Sequence, residues 1–169
     1  MADPGIERVF HVNIVVRDLE RSVKWYTEVL GAKVIDGPYA VTGPSVTGIG
    51  QGAQMWGVQP HEVEVKCAFL TFGDAADEVV LDMLQFVKPL ASGAPPATLQ
   101  HVGIGRIALK VPDVDHAYEA LMQQAVVFQT APCSIDLGAG LLSGVAYACF
   151  YGPDGEALEI YGPRKAGQG

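Results

Sequence analysis

Phe10-His11-Val12-Asn13-Ile14-Val15-Val16-Arg17-Asp18-Leu19-Glu20-Arg21-Ser22 has a second copy in the chain, Gly105-Arg106-Ile107-Ala108-Leu109-Lys110-Val111-Pro112-Asp113-Val114-Asp115-His116-Ala117. The two align without a gap at an offset of 95 residues, Arg106 standing where His11 stands. Val12/Ile107, Ile14/Leu109, Val16/Val111 and Asp18/Asp113 pair in kind. Each copy reads as an alternating strand, a turn with Asp, then an amphipathic helix. A unit used twice at this spacing implies two similar modules, each strand-helix-strand-strand-strand.

The helices are expected over about 19–30, with Leu19, Val23, Tyr26 and Leu30 at helical spacing, and about 113–124. Gly31 follows the first as a natural C-terminal cap. Each helix should cover one strand face, Val12/Ile14/Val16 in the first module. His11 and Asn13 are left on the uncovered side, and Arg106, Ala108 and Lys110 take the matching places in the second.

Further strands are read at 32–35, 63–72 and 79–86, then at 126–129, 145–151 and 157–161. The last two close through the turn Gly152-Pro153-Asp154-Gly155. An acidic turn, Gly73-Asp74-Ala75-Ala76-Asp77, joins 63–72 to 79–86. The organisation expected is a first module over 1–87, a Pro-containing linker over 88–100, a second module over 101–162 and a disordered tail over 163–169. Residues 36–60 are rich in Gly, Pro, Ser and Gln and form a long loop. That loop is either a surface excursion with one or two short strands or a lid whose Met55 and Trp56 touch a ligand.

The bulk numbers narrow the partners. With 49% hydrophobic and 18% charged residues in 169, the chain has a core to bury and is not disordered. A formal net charge of −8 argues against nucleic acid, whose backbone needs clustered Lys and Arg. No apolar run is long enough to span a bilayer, and Met1–Gly5 carries no secretory pattern. Three cysteines (Cys67, Cys133, Cys149) without CxxC spacing read as free thiols in a reducing cytoplasm.

Four polar residues interrupt otherwise apolar strands. Asp82 sits in Leu81-Asp82-Met83-Leu84 much as Glu159 sits in Leu158-Glu159-Ile160-Tyr161. A charge there is expensive without a partner, so Asp82 requires a cation or a hydrogen-bond donor. His11, Asp82, Arg106 and Glu159 fall at equivalent places of the two copies, which marks a site.

The stretch His11 to Ser22, with Trp25-Tyr26 and Val29-Leu30-Gly31 after it, resembles the first module of the vicinal oxygen chelate superfamily (glyoxalase I, bleomycin-resistance proteins, extradiol dioxygenases). Gly152-Pro153-Asp154-Gly155-Glu156-Ala157-Leu158-Glu159 is similar to its C-terminal signature. The resemblance implies an α+β fold in which two βαβββ modules curl their mixed sheets into a cup-shaped half-barrel, helices outside. It implies a divalent metal (Zn, Fe, Mn, Ni or Co) in the cup, and its ligands carry over to His11, Asp82 and Glu159. The fourth position holds Arg106 where a glyoxalase-like site has His. Homodimerisation is common in the family.

Two readings of Arg106 stand side by side. Guanidinium has no acceptor and cannot ligate a metal, so a metal keeps only three protein ligands. Alternatively Arg106 replaces the metal, neutralising Asp82 and Glu159 by charge-assisted hydrogen bonds. His101 could supply a fourth ligand, but its side-chain parity is opposite to that of Arg106.

The function implied is a small-molecule isomerase, epimerase or lyase acting through an enolate-like intermediate. Glu159, His11 and Arg106 are its catalytic candidates, and Asn13, Lys110, Trp56 and Met55 its substrate-binding ones. The alternative is a metal-free antibiotic- or natural-product-binding protein of the bleomycin-resistance type. In a third reading the four polar residues form only a salt-bridged core.

Overall fold

The computed structural model describes residues 4–43, 53, 55–73, 78–135, 138 and 140–164. The expected acidic turn at Asp74 and Asp77, the 44–52 stretch and the expected tail after Arg164 lie outside the described residues. The chain divides into two compact units, Met1–Gly93 and Ala94–Gly169.

In the first unit β1 (His11–Val15) leads into α1 (Leu19–Glu28), then β2 (Lys33–Thr42), β3 (Glu64–Thr71) and β4 (Val80–Lys88). The sheet order is β1-β4-β3-β2, with β1 parallel to β4 and the other pairs antiparallel. The second unit repeats the plan with β5 (Ile107–Lys110), α2 (Val114–Gln123), β6 (Cys133–Ile135), β7 (Val145–Tyr151) and β8 (Ala157–Pro163). Its order is β5-β8-β7-β6, with β5 parallel to β8. The class is α+β, two βαβββ modules, each with one mixed sheet and one helix. No described helix is long and apolar enough to cross a membrane.

The repeated Asp residues start both helices. Asp18 Oδ1 accepts from the Arg21 N–H at 3.0 Å, and Asp113 Oδ1 accepts from Asp115 and His116 at 3.1 and 3.2 Å. Each satisfies N–H groups that the first turn leaves open, worth about 1 kcal/mol. The helices then cover one face of each sheet, α1 against β2, β3 and β4, and α2 against β7 and β8. Under α1 lie Ile14, Val16, Leu19, Tyr26, Ala68, Leu70, Leu81 and Met83, all buried. Under α2, Tyr118 stacks on Phe128 and Phe128 on Phe150, at 4.5 and 5.1 Å between ring centres.

Two expectations need correction, and the rest of the long loop is described in part. Residues 36–42, read as the start of the long loop, belong to β2, where Tyr39 to Thr42 pair with Cys67 to Glu64. Register shifts on either side of Asp36 break the alternation from which a strand is recognised. In the described part of 53–63, Ala53 and Val63 are buried and most residues between them are exposed. Ala53 and Val63 join Val65 and Leu84 in a small core with Val41, Val58, Cys67 and Phe86 at its edge, on the face opposite α1. Finally, 126–129 is no strand beyond a single Phe128–Phe150 bridge, and β6 forms instead at Cys133–Ile135, inside the expected loop. Phe128 is drawn into the aromatic stack, so that segment serves the core rather than the sheet.

Candidate functional site

In the first unit the parallel pairing of β1 with β4 sets Asn13 opposite Asp82. The Asn13 amide donates to Asp82 Oδ2 at 2.9 Å and to the Asp82 carbonyl at 3.2 Å. His11 Nε2 stands 4.0 Å from the same Oδ2, ion-pair distance but too long for a hydrogen bond. This supplies the partners that a carboxylate in an apolar strand requires. The next row holds Cys67, whose thiol is pushed up by burial first and then by the negative charges of Asp82 and Asp36. Asp36, brought round by the irregular part of β2, accepts from the Tyr39 hydroxyl and the Gly37 N–H, and that hydroxyl hydrogen bond first and its charge second raise Tyr39. Asp36 and Tyr39 escaped sequence reasoning as a pair, because only the bulged strand brings them together.

Trp56 sets its ring edge-on to Phe86 at 5.1 Å, closing the Leu84–Phe86 end of this face, while Met55 is 88% exposed. His11, Asn13 and Asp82 thus form one cluster at the other end.

In the second unit β5 runs parallel to β8, with Ala108 opposite Glu159 and Lys110 opposite Tyr161. Arg106, the residue before β5, shares their parity and reaches Glu159, Nε to Oε2 at 2.5 Å. Its guanidinium also lies 6.0 Å from the centre of the Tyr147 ring. From β7 the Cys149 thiol donates to the same Glu159 oxygen at 3.5 Å. Burial, then Glu159, pushes that thiol up to about 11, with Arg106 opposing. The apolar alternation around Cys149 in β7 was legible in the sequence, but its pairing opposite Glu159 was not.

His101 turns its ring nitrogens toward backbone carbonyls. Its Nδ1 lies 3.0 Å from the Thr98 carbonyl and its Nε2 3.2 Å from that of Ile104. A neutral ring donates to one of these carbonyls only.

The profile of the glyoxalase/bleomycin resistance protein/dioxygenase superfamily matches residues 8–160. The chain belongs to that superfamily. Among solved structures, a glyoxalase family protein from Bacillus cereus superposes with a TM-score of 0.74 at 17% identity, covering 98% of this chain and 99% of its own. The trypanothione-dependent glyoxalase I of Leishmania major follows the fold at 0.59 and 23% identity, over 93% and 87% of the two chains. A glyoxalase family protein from Enterococcus faecalis gives 0.61 at 19%, over 92% and 97%. At such identities the likeness is one of fold. No curated protein matches the sequence significantly.

A divalent metal is the cofactor that membership of this superfamily implies, and the donor set does not fit one. In neither unit do three His, Cys, Asp or Glu side chains among the described residues converge as ligands. Arg106 occupies a ligand position that it cannot serve. Its charge lies against Glu159, so a cation approaching that carboxylate meets a fixed positive group.

Proposed function

We propose that this superfamily member is a small-molecule isomerase, epimerase or lyase that works through an enolate-like intermediate, with Arg106 in place of a metal. The observation that supports it is the Arg106–Glu159 ion pair on the uncovered face of the second sheet. A guanidinium held on one side by a buried carboxylate is preorganised to donate from its remaining N–H groups to an oxygen that gains charge during reaction. His11, beside Asp82, is the group assigned to remove a proton from carbon next to a carbonyl. Asp82 compensates the imidazolium that results, and Asn13 holds Asp82. Glu159, expected to move a proton, is assigned instead to positioning Arg106. Lys110, Trp56 and Met55 remain proposed substrate contacts. A cytoplasmic homodimer belongs to the same proposal.

A metal-free binding protein of the bleomycin-resistance type is the second reading. It is favoured by one observation: Glu159 is committed to two donors and is not free to move a proton.

Solvent exchange separates the two readings. In D2O, a panel of 2-oxo and 2-hydroxy acids and thioesters is followed by NMR for loss of the proton next to the carbonyl. Catalysed exchange that falls in both His11→Gln and Arg106→Met supports the enzyme. Tight binding without exchange supports the binder.

A further inference from the structure

The uncovered face of the second sheet has a composition that neither a solvated surface nor a core needs. Its register places Tyr151 opposite Ala157, Cys149 opposite Glu159 and Ala108, and Cys133 opposite Tyr147, Tyr161 and Lys110. Tyr147, Tyr151 and Tyr161 are all half-buried on this face. On the other face of the same strands Ala146, Ala148, Phe150, Leu158 and Ile160 are buried. The helix-covered side is therefore closed, and the opposite side presents aromatic rings.

The Tyr161 hydroxyl already donates to the Leu141 carbonyl, which anchors the ring. Arg106 leans toward Tyr147 and Ala108 is exposed, so the strand edge between the two cations carries only a methyl group. Glu159 neutralises one cation. Lys110 is exposed and, among the described residues, has no carboxylate partner, so the face keeps one uncompensated positive charge.

We infer that this face takes a small aromatic carboxylic acid. Its ring lies against Tyr147 and Tyr161, and its carboxylate meets Lys110 and the free N–H groups of Arg106. A cationic ligand would be repelled and a neutral one would leave Lys110 unused. An inorganic anion would leave the tyrosines without a role. The inference names the substrate class for the site proposed above and rests on that reading.

The test is an amide-shift titration of the full-length protein with benzoate, benzamide, benzylamine and inorganic phosphate. Benzoate is expected to move amides in 106–110, 145–151 and 157–161, with benzamide about tenfold weaker and the other two inactive. In Lys110→Met, benzoate should fall to within about twofold of benzamide, and the rest of the spectrum should be unchanged. Tyr147→Leu should weaken both aromatic probes together. Equal binding of benzoate and benzamide, phosphate binding as well as benzoate, or no movement of these amides would each overturn the inference. If these amides stay still while a carbon acid still exchanges in D2O, the aromatic-acid inference fails and the proton-transfer reading stands. If benzoate binds as described and no carbon acid exchanges, the aromatic-acid site stands and the proton-transfer reading fails.

Discussion

Glu159 is 5% exposed, and a carboxylate so placed is tolerable only because the Arg106 guanidinium and the Cys149 thiol both donate to one of its oxygens. The cost of that arrangement falls on the thiol. Cys149 moves from 9.0 to about 11, by burial first and by Glu159 next. A group raised on folding binds its proton more tightly in the folded chain. Its contribution to stability is therefore whole below about pH 9 and lost as pH rises to about 11. Glu159→Gln should bring Cys149 down without reaching 9, since burial remains, and speed its alkylation at pH 9. Arg106→Met should instead slow that alkylation below the rate of the unmutated chain and cost about 1–3 kcal/mol, since a buried carboxylate loses its charged donor. Peptide mapping after iodoacetamide separates Cys149 from Cys67 and Cys133. An unchanged rate in Glu159→Gln would mean that Glu159 does not hold the proton on the thiol. The sequence marked Glu159 and Arg106 as equivalent to Asp82 and His11, since each interrupts an apolar alternation. It could not mark Cys149 as their neighbour, because that depends on which residue of β7 faces β8.

At the level of elements, the two helices start alike and end differently. Gly31 turns the chain after α1 with φ +74°, which glycine adopts freely. After α2 the same left-handed region is taken by Ala125, at φ 63°. For alanine that conformation costs about 1 kcal/mol, from the crowding of its Cβ against the backbone. Ala125→Gly should therefore recover up to about 1 kcal/mol and raise Tm by about 2–4 °C, read by calorimetry. An unchanged or lower Tm would mean that the flexibility gained in the unfolded chain outweighs the strain relieved. Helix positions were legible because caps and apolar spacing are local. β2 was legible only as far as Ile35, since its pairing from Tyr39 to Thr42 resumes after a break in register. The 126–129 segment was misread because Phe128 satisfies the same apolar pattern by joining an aromatic stack under α2.

Across the molecule, the proposed replacement of a metal by Arg106 has a direct consequence. A resident ion at a hundred times its dissociation constant would add about 2.7 kcal/mol, several degrees of Tm in a chain of this size. Dialysis against EDTA and then back-titration with Zn2+ or Ni2+ should leave Tm within about 1 °C. A rise of several degrees, abolished in Glu159→Ala, would instead make His11, Asp82 and Glu159 ligands. The repeat, the strand faces, both helices and the family of the fold were written in the chain, because alternation, capping and turn chemistry act between residues close in sequence. The sites were not. Asn13 and Asp82 are 69 residues apart, and they meet only because β4 returns beside β1 in parallel. Arg106 meets Glu159 by the same return of β8 beside β5. The residues named for chemistry were thus readable one by one. Whether a carboxylate faces a metal, an amide or a guanidinium depends on register and burial, which only the packed sheet decides.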